Sequence, residues 1–372
     1  MAQESEEHQQ FRSSLRAFFE ARSPEAEVRR VMDEPRGYDP ALWKEMAQQL
    51  GLQGLTVDEA HGGSGFGWPE LGIVMEEMGR ALVCAPYLST VGLAVPALRA
   101  IDDHDAVAHL LSSIASGDLV CALAVAEEVG DWSQSEIKTR AQARDGDYQL
   151  TGCKNAVIDG ADADVLLVAA RTEDGVALFE VNGDAPGLAR TPLTGLDQTR
   201  RLARVDLQEV PARLLGSPET GWAAVESSLD HGVLALAAES VGGMQRCLEE
   251  SATYARIRYQ FGRPIGSFQA VKHLCADMVL RTESARSIVH YGIDCAERDS
   301  EELGVVASAA AAYVQDAYFR VTRDTIQVHG GVAYTWEHPA HLYHRRAKAS
   351  QVLLGDGVRH RDRVASAIGM DT

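Results

Sequence analysis

The stretch "TYARIRYQFGRPIGSFQAVKH" (residues 253–273) joins two long helical segments of the chain. Alanine-rich sequence with helical periodicity precedes it, and the turn Gly262-Arg263-Pro264 separates that segment from a second helical pattern. Its basic residues stand out because the chain has 35 Lys and Arg against 54 Asp and Glu, a formal net charge of -19. A helix C-terminus attracts cations and explains part of this cluster. A bound anion is the other interpretation.

The rest of the chain divides into three blocks of different periodicity. Residues 5 to 115 show apolar side chains at helical three- and four-residue steps. Short apolar or alternating runs between residues 118 and 212 indicate a small antiparallel sheet or barrel, and four long helical segments follow from about residue 217. The sequence therefore predicts a multi-domain α+β protein with an N-terminal α-helical domain (1–117), a middle β domain (118–214) and a C-terminal four-helix bundle domain (215–372).

Local signals mark several element boundaries. Asp39-Pro40 and Trp68-Pro69 each predict a helix start, with proline in the first turn. The turn pairs Asp145-Gly146 and Asp174-Gly175 predict links between strands. The glycine-rich "HGGSGFGW" (61–68) lacks a preceding strand and the glycine spacing of a dinucleotide fingerprint, so it is expected to be a loop that leads into a helix.

Composition excludes several classes of function. The acidic balance argues against nucleic acid, which requires clustered Lys and Arg. The six scattered cysteines have no CxxC spacing and favour a reducing compartment. The polar start "MAQESEEHQQ" is not a signal peptide, and no apolar run has membrane-spanning length. A cytoplasmic protein without membrane contact is the expectation.

Together with "QVHGGVAYTWEHP" (327–339), the opening stretch resembles the acyl-CoA dehydrogenase family, and the resemblance covers essentially the whole chain. It implies a three-domain helix–sheet–helix fold and FAD as cofactor. A carboxylate removes the proton alpha to an acyl-CoA thioester while the flavin accepts a hydride from the beta carbon. It further implies an oligomer and an electron acceptor such as an electron-transfer flavoprotein.

In the family, FAD runs across a subunit interface, and two motifs of one subunit hold the ADP part of the flavin bound by its neighbour. A guanidinium matches pyrophosphate oxygens, an aromatic ring offers a stacking face, and paired glycines let backbone N–H groups approach closely. Carried onto this sequence, the resemblance implies cofactor-binding roles for Arg258, Phe261, Gln269, Gln327, Gly330 and Gly331.

The sequence departs from the family where the catalytic base should be. The usual glutamate position, just before a glycine in the C-terminal segment "RRAKASQVLLGDG", is Leu354. The alternative position on the long helix is Gly232, and Val233 replaces the arginine that follows it in the family. Neither leucine nor glycine can accept a proton.

The middle domain departs from the family as well. The loop that covers flavin and substrate in the family corresponds to "VAEEVGDWSQSEI" (125–137). The Trp-Ile-Thr/Ser strand that meets the flavin ring corresponds to Ala156-Val157-Ile158, which offers neither an aromatic wall nor a hydroxyl.

Three acidic residues remain as weak candidates for a base. Asp356 lies two residues beyond Leu354, while Asp230 and Glu239 lie on the long helix. Asp230 is rotated by roughly 200° from position 232. Glu239 sits in an apolar run that would raise its pKa. The alternative for all three is structural: a cap, a surface charge or a paired buried acid.

A histidine series in "HPAHLYHRR" places His338, His341 and His344 three residues apart. No carboxylate or cysteine completes a ligand set, and the three do not share one helical face. No metal site is predicted.

These features favour a complex of two related subunits with different roles. The chain resembles the base-lacking subunit of the heteromeric α2β2 bacterial acyl-CoA dehydrogenases, notably those acting on steroid side chains. Such a subunit would complete the FAD site of a glutamate-bearing partner. One alternative is a self-sufficient homomeric acyl-CoA dehydrogenase that uses Asp356 or Glu239 as base. The other is a non-catalytic structural paralogue.

Overall fold

The computed structural model describes residues 5–128, 132–144 and 146–370. These residues form two compact units. We call the first the helical unit (5–29, 72–83 and 233–370) and the second the mixed unit (30–71, 84–128, 132–144 and 146–232). The α+β fold class predicted from the sequence is confirmed, whereas the boundaries of the three predicted domains stay a prediction.

Helices dominate the first hundred residues and the last hundred and fifty of the part that the structure describes. The helices are α1 (Glu6–Arg22), α2 (Glu25–Asp33), α3 (Pro40–Leu50), α4 (Trp68–Ala81), α5 (Val95–Arg99), α6 (His104–Ala115), α7 (Pro218–Ile257), α8 (Gln269–Glu297), α9 (Leu303–His329), α10 (Ala340–Ser350) and α11 (Gly357–Ala367). Within the described ranges, none of them combines the length and the apolar composition needed to cross a membrane.

The predicted cap signals hold. The Asp39 carboxylate accepts a hydrogen bond from the Ala41 N–H at 2.8 Å, and Pro40 begins α3. Glu70 accepts from the Gly67 N–H at 3.1 Å, just before α4. Each bond satisfies a backbone donor near a helix start that has no partner inside the helix.

The mixed unit carries one seven-stranded sheet. Its strands are β1 (Cys121–Ala124), β2 (Arg140–Arg144), β3 (Asp147–Ile158), β4 (Val165–Arg171), β5 (Val176–Asn182), β6 (Leu188–Leu193) and β7 (Leu202–Leu215). The pairings β4–β2–β3–β7–β5–β4 close on themselves, while β1 and β6 attach to β4 and β7. Closure leaves few unpaired strand edges. Most pairs are antiparallel, but β1 and β2 run parallel to β4.

Strand prediction worked best for buried strands. In β4 every residue but the last is buried, and Asp174-Gly175 lies in the turn to β5 as expected. The sequence did not predict β2 and β6, whose residues are almost all exposed or half-buried and include few large apolar side chains. Of the Asp145-Gly146 pair, Asp145 lies outside the described residues.

The helical unit differs from the prediction at its end. In place of one last helix there are two, because the chain turns between α10 and α11. Leu354 and Gly355 adopt positive φ angles of 60° and 107°, which no helix continues through. Asp356 then starts α11, with its carboxylate accepting from the N–H groups of Val358 at 3.0 Å and Arg359 at 2.9 Å.

Helices α4 and α7 approach each other backbone to backbone within the helical unit. A Cβ atom at Gly79 would lie 1.9 Å from the Glu239 carbonyl oxygen, and one at Gly242 would lie 1.8 Å from the Glu76 carbonyl oxygen. Both distances are far below contact, so the crossing requires glycine on each helix.

We expect Gly242→Ala to destabilise the protein by about 2 kcal/mol, because the main chain of α4 must move away. The cost of the steric overlap with the Glu76 carbonyl must exceed the gain of about 1 kcal/mol that alanine brings over glycine in helix propensity. Chemical denaturation followed by circular dichroism measures the difference. The control is Gly331→Ala, where a Cβ meets nothing within 4 Å and stability should stay within about 0.5 kcal/mol. An unchanged unfolding midpoint for Gly242→Ala would refute the close approach.

Candidate functional site

The first motif lies where α7 ends. The Arg258 N–H still donates to the Tyr254 carbonyl at 2.9 Å, and a short hairpin follows, with β8 (Tyr259–Gln260) paired to β9 (Arg263–Pro264). Phe261 and Gly262 take positive φ angles of 54° and 78°, as a two-residue hairpin turn requires. This turn projects Phe261 into solvent, with 89% of its surface exposed.

The hairpin returns the chain to the start of α8. The Arg258 carbonyl accepts from the Ile265 N–H at 2.8 Å, and the guanidinium of Arg263 covers the Phe268 ring at 4.1 Å. Phe268 precedes Gln269, the first residue of α8. Arg258 and Gln269 are both exposed, so their side chains are available to a ligand.

The second motif lies where α9 ends. Gln327 is exposed on the last turn, and Gly330 ends the helix with φ 67° and ψ -145°, a conformation that favours glycine. Gly331 has no such backbone requirement. A Cβ added to either glycine would meet nothing within 4 Å. The packing of the chain itself therefore does not explain the glycine at 331, whereas close approach of a ligand does.

The structure joins these two motifs through a contact that the sequence did not predict. The Tyr254 ring stacks on the His329 ring, with centroids 4.5 Å apart and planes at 29°. Tyr254 lies one helical turn before Arg258, and His329 directly precedes the glycine pair. The ends of α7 and α9 therefore lie side by side in the helical unit.

These residues fit the ADP part of FAD. They offer an exposed guanidinium for phosphate, an exposed aromatic ring, and glycine backbone open to close approach. We call the set of Arg258, Phe261, Gln269, Gln327, Gly330 and Gly331 the clamp.

Residues 156–158 correspond to the strand that meets the flavin ring in the family, and they suit a flavin ring less well than the family's strand does. Ala156 has a positive φ of 52°, and the pairing of β3 with β7 shifts register between Lys154 and Val157. Val157 and Ile158 are 1% and 2% exposed, and neither carries a polar group. The hydroxyl and the aromatic wall are therefore absent from this segment.

The loop of residues 125–137 is held by a carboxylate. Glu127 accepts from the N–H groups of Lys138 and Thr139, each at 2.8 Å, and pairs with the buried Lys154 at 2.8 Å. Burial lowers the pKa of Lys154 to about 8, although Glu127 opposes this shift. Residues 129–131 of the loop lie outside the described residues. In these contacts the Glu127 carboxylate has a structural role.

The first base position is filled by an apolar core residue. Leu354 is 3% exposed and sits in the turn between α10 and α11. Asp356, the nearest acid along the chain, uses its carboxylate to cap α11. These contacts favour the structural interpretation of Asp356.

The second base position lies within α7. Gly232 and Val233 are buried there, and so is Asp230. Glu239, further along α7, forms a buried ion pair with Arg346 of α10, with 2.7 Å between Oε1 and Nη1. The structure thus gives Glu239 the paired, buried role that was the alternative to a base.

The three histidines near the C-terminus contact three different rings. His338 lies 4.7 Å from His329, His341 stacks on Trp336, and His344 stacks on Phe319. Across the described ranges, no three His, Cys, Asp or Glu residues form a group that could hold a metal ion.

A cavity of about 290 Å³ lies within the helical unit, and His338 is one of its lining residues. Its lining includes the apolar or aromatic side chains of Phe19, Leu82 and Tyr343 and charged side chains such as those of Arg16 and Glu250. None of the predicted site residues lines it. Five of the clamp residues, Arg258, Phe261, Gln269, Gln327 and Gly331, are exposed at the surface.

Comparisons with known proteins identify the family of this chain. Residues 5–118 match the model "Acyl-CoA dehydrogenase, N-terminal domain", and residues 219–369 match "Acyl-CoA dehydrogenase, C-terminal domain". The acyl-CoA dehydrogenase IpdE2 of Mycolicibacterium smegmatis is 33% identical over 352 residues, which cover 94% of this chain and 95% of the relative.

Two solved structures show the same fold along the whole chain. The steroid ACAD Tcur3481-Tcur3483, solved as a point variant, gives a TM-score of 0.89 at 30% identity, covering 98% of both chains. The ChsE4-ChsE5 complex from Mycobacterium tuberculosis gives 0.90 at 27% identity, covering 100% of this chain and 99% of the other. With two family models and a full-length relative in agreement, this chain belongs to the acyl-CoA dehydrogenase family, a family of oxidoreductases whose members bind FAD.

Proposed function

We propose that this chain is the base-lacking subunit of a heteromeric acyl-CoA dehydrogenase. In this proposal it completes the FAD site of a related partner that carries the catalytic glutamate. FAD at that shared site would supply the hydride acceptor for α,β-dehydrogenation of an acyl-CoA thioester. An electron-transfer flavoprotein is the expected acceptor of the electrons.

One observation carries the proposal. The clamp residues are accessible to a ligand, whereas the two positions of the catalytic base hold residues that cannot accept a proton. Leucine and glycine occupy the two base positions, and both are buried. The two candidate replacements, Asp356 and Glu239, serve as a helix cap and as one half of a buried ion pair. A carboxylate in a buried ion pair with arginine loses that contact if it moves toward a substrate.

The roles of the chain's own residues follow from their chemistry. Arg258 would bind pyrophosphate oxygens by charge-assisted hydrogen bonds, with Gln327 and Gln269 as amide donors and acceptors around it. The N–H groups at Gly330 and Gly331 can approach an anion closely because no side chain covers them. The base, and with it proton removal, would come from the partner chain.

The relatives support assembly with a second, related chain. ChsE4-ChsE5, which shares the fold over the full length, is a complex of two named chains. Three aromatic residues near the clamp motifs are largely exposed: Tyr259 at 61%, Phe261 at 89% and Tyr334 at 80%. Large exposed aromatic side chains are typical of surfaces that bind a ligand or another subunit. A cytoplasmic location remains part of the proposal and rests on the six scattered thiols.

The test is expression with and without the partner. Purified alone, the chain should hold little FAD and catalyse no dehydrogenation of acyl-CoA. Co-expressed with an acyl-CoA dehydrogenase chain that carries the glutamate, it should yield a yellow complex with turnover. The absorption spectrum in the flavin bands and reduction of an artificial electron acceptor measure both. Full turnover by the purified homomer would overturn the proposal.

Two further measurements separate the alternatives. If the homomer does retain flavin and activity, Asp356→Asn and Glu239→Gln identify which acid acts as base, because only the base variant should lose turnover at unchanged FAD content. If flavin is missing from every complex that the chain forms, the non-catalytic paralogue is the correct function.

Gly331→Ala tests the clamp without disturbing the fold. Because its Cβ meets nothing inside the chain, the variant should keep wild-type stability. In the FAD-binding assembly the variant should lower the affinity for FAD by about tenfold, since the added methyl group lies where the ligand would approach the backbone. Fluorescence titration of FAD into the deflavinated protein measures the affinity. Unchanged affinity would remove Gly331 from the clamp.

A further inference from the structure

Three rings form a column at the base of the clamp. Tyr254 of α7 stacks on His329 of α9 at 4.5 Å, and His329 contacts His338 at 4.7 Å with planes at 59°. His329 is 6% exposed, while Tyr254 and His338 are half-buried. The column therefore links three separate segments of the chain: the end of α7, the end of α9, and the residues just before α10.

Hydrogen bonds to the backbone fix the orientation of both imidazole rings. His329 Nδ1 donates to the Thr325 carbonyl at 2.9 Å, one turn earlier in α9. His338 Nδ1 accepts from the Ala340 N–H at 3.2 Å, at the start of α10. Burial also lowers the pKa of His338, which favours the neutral imidazole that can accept at Nδ1. Neither ring can rotate without breaking a backbone contact.

Few buried contacts hold the clamp residues themselves, although the Phe261 ring meets the Phe268 ring edge-on at 6.1 Å. Residues 256–263 are all exposed, so the last buried position of α7 before Arg258 is Ala255. On the other side, Gln327 is exposed and the two glycines meet no neighbouring side chain. The relative placement of Arg258 and Gln327 therefore depends on how the last turns of α7 and α9 pack, and Tyr254 and His329 lie at that contact.

We propose that Tyr254, His329 and His338 are positioning residues that hold the two motifs of the clamp in register, so that the chain presents them as one preformed FAD-binding surface. This inference rests on the proposed function, because it assumes that Arg258 and Gln327 bind FAD. Preorganisation of this kind raises affinity by removing the entropy cost of ordering the site during binding.

The experiment compares FAD affinity in the FAD-binding assembly across matched variants. Tyr254→Leu and His329→Leu remove the stack, and we expect each to lower the affinity for FAD by about tenfold. The control is Phe319→Leu, which removes a stack of nearly the same geometry between α9 and α10, with centroids 4.8 Å apart and planes at 30°. It should lose similar stability while leaving FAD affinity unchanged. His329→Phe keeps a ring at this position and should recover most of the affinity.

A double-mutant cycle distinguishes positioning from general damage to the fold. If His329 acts through Arg258, then His329→Leu should have little further effect in an Arg258→Met background. Equal losses of affinity in both backgrounds, or a loss for Phe319→Leu as large as for His329→Leu, would overturn the inference. Unchanged FAD affinity in Arg258→Met alone would instead refute the proposed function, so the two failures give different results.

Discussion

Arg346→Met is expected to lower the free energy of unfolding by about 3–5 kcal/mol, the largest effect of a single substitution that this structure predicts. Arg346 and Glu239 are 2% and 6% exposed, and the ion pair between them joins α10 to α7. Removing the arginine leaves the carboxylate of Glu239 in a buried position without its cation. Chemical denaturation at neutral pH measures the loss.

The matched control is an ion pair of the same length on the surface. Arg246 and Glu250 also lie 2.7 Å apart, but their side chains are 39% and 44% exposed. Arg246→Met should cost no more than about 0.5 kcal/mol, because water screens this pair. The double variant Glu239→Leu/Arg346→Met should recover most of the stability, since the pair is then replaced by apolar groups. Equal effects of Arg346→Met and Arg246→Met would contradict the buried role of Glu239.

The protein should lose about 3 kcal/mol of stability as the pH falls from about 5 toward 2, because of Glu76. Burial alone would raise the pKa of this carboxyl group. The hydrogen bond with His290 and the charges of Arg12 and Arg286 outweigh burial and lower the pKa to about 2. Arg286 Nη1 lies 2.7 Å and Arg12 Nη1 lies 3.0 Å from Glu76 Oε2. These contacts tie α1 and α8 to α4.

The direction of this effect follows from linkage. The pKa of Glu76 is lower in the folded state than in the unfolded state, so its contribution is fully present above the unfolded value and is lost as the pH falls. Glu76→Gln should flatten the dependence of unfolding free energy on pH in this window. Glu283→Gln is the control, because Glu283 pairs with the same Arg286 at 3.6 Å but is 42% exposed, and it should keep the slope. Identical slopes for the two variants would contradict the assignment.

Local patterns in the sequence predicted local features well. Asp39-Pro40 indicated the start of α3, and Asp174-Gly175 indicated the turn between β4 and β5. These signals work because a cap or a tight turn is formed by residues within a few positions of each other. The sequence did not predict the strands β2 and β6 because they carry few large apolar side chains. It did not predict the split between α10 and α11 because a non-glycine residue, Leu354, takes a positive φ.

The sequence by itself determined the fold class and the family, and it predicted the clamp residues, since each of these depends on residue types at short, fixed spacings. Only the tertiary structure decided what the remaining acids do. Glu239 and Arg346 are 107 positions apart, and no local pattern pairs them. The same holds for Tyr254 and His329, whose stack joins the two motifs of the clamp. Contacts between distant segments depend on how helices pack, and packing is set by the whole core and not by neighbours along the chain.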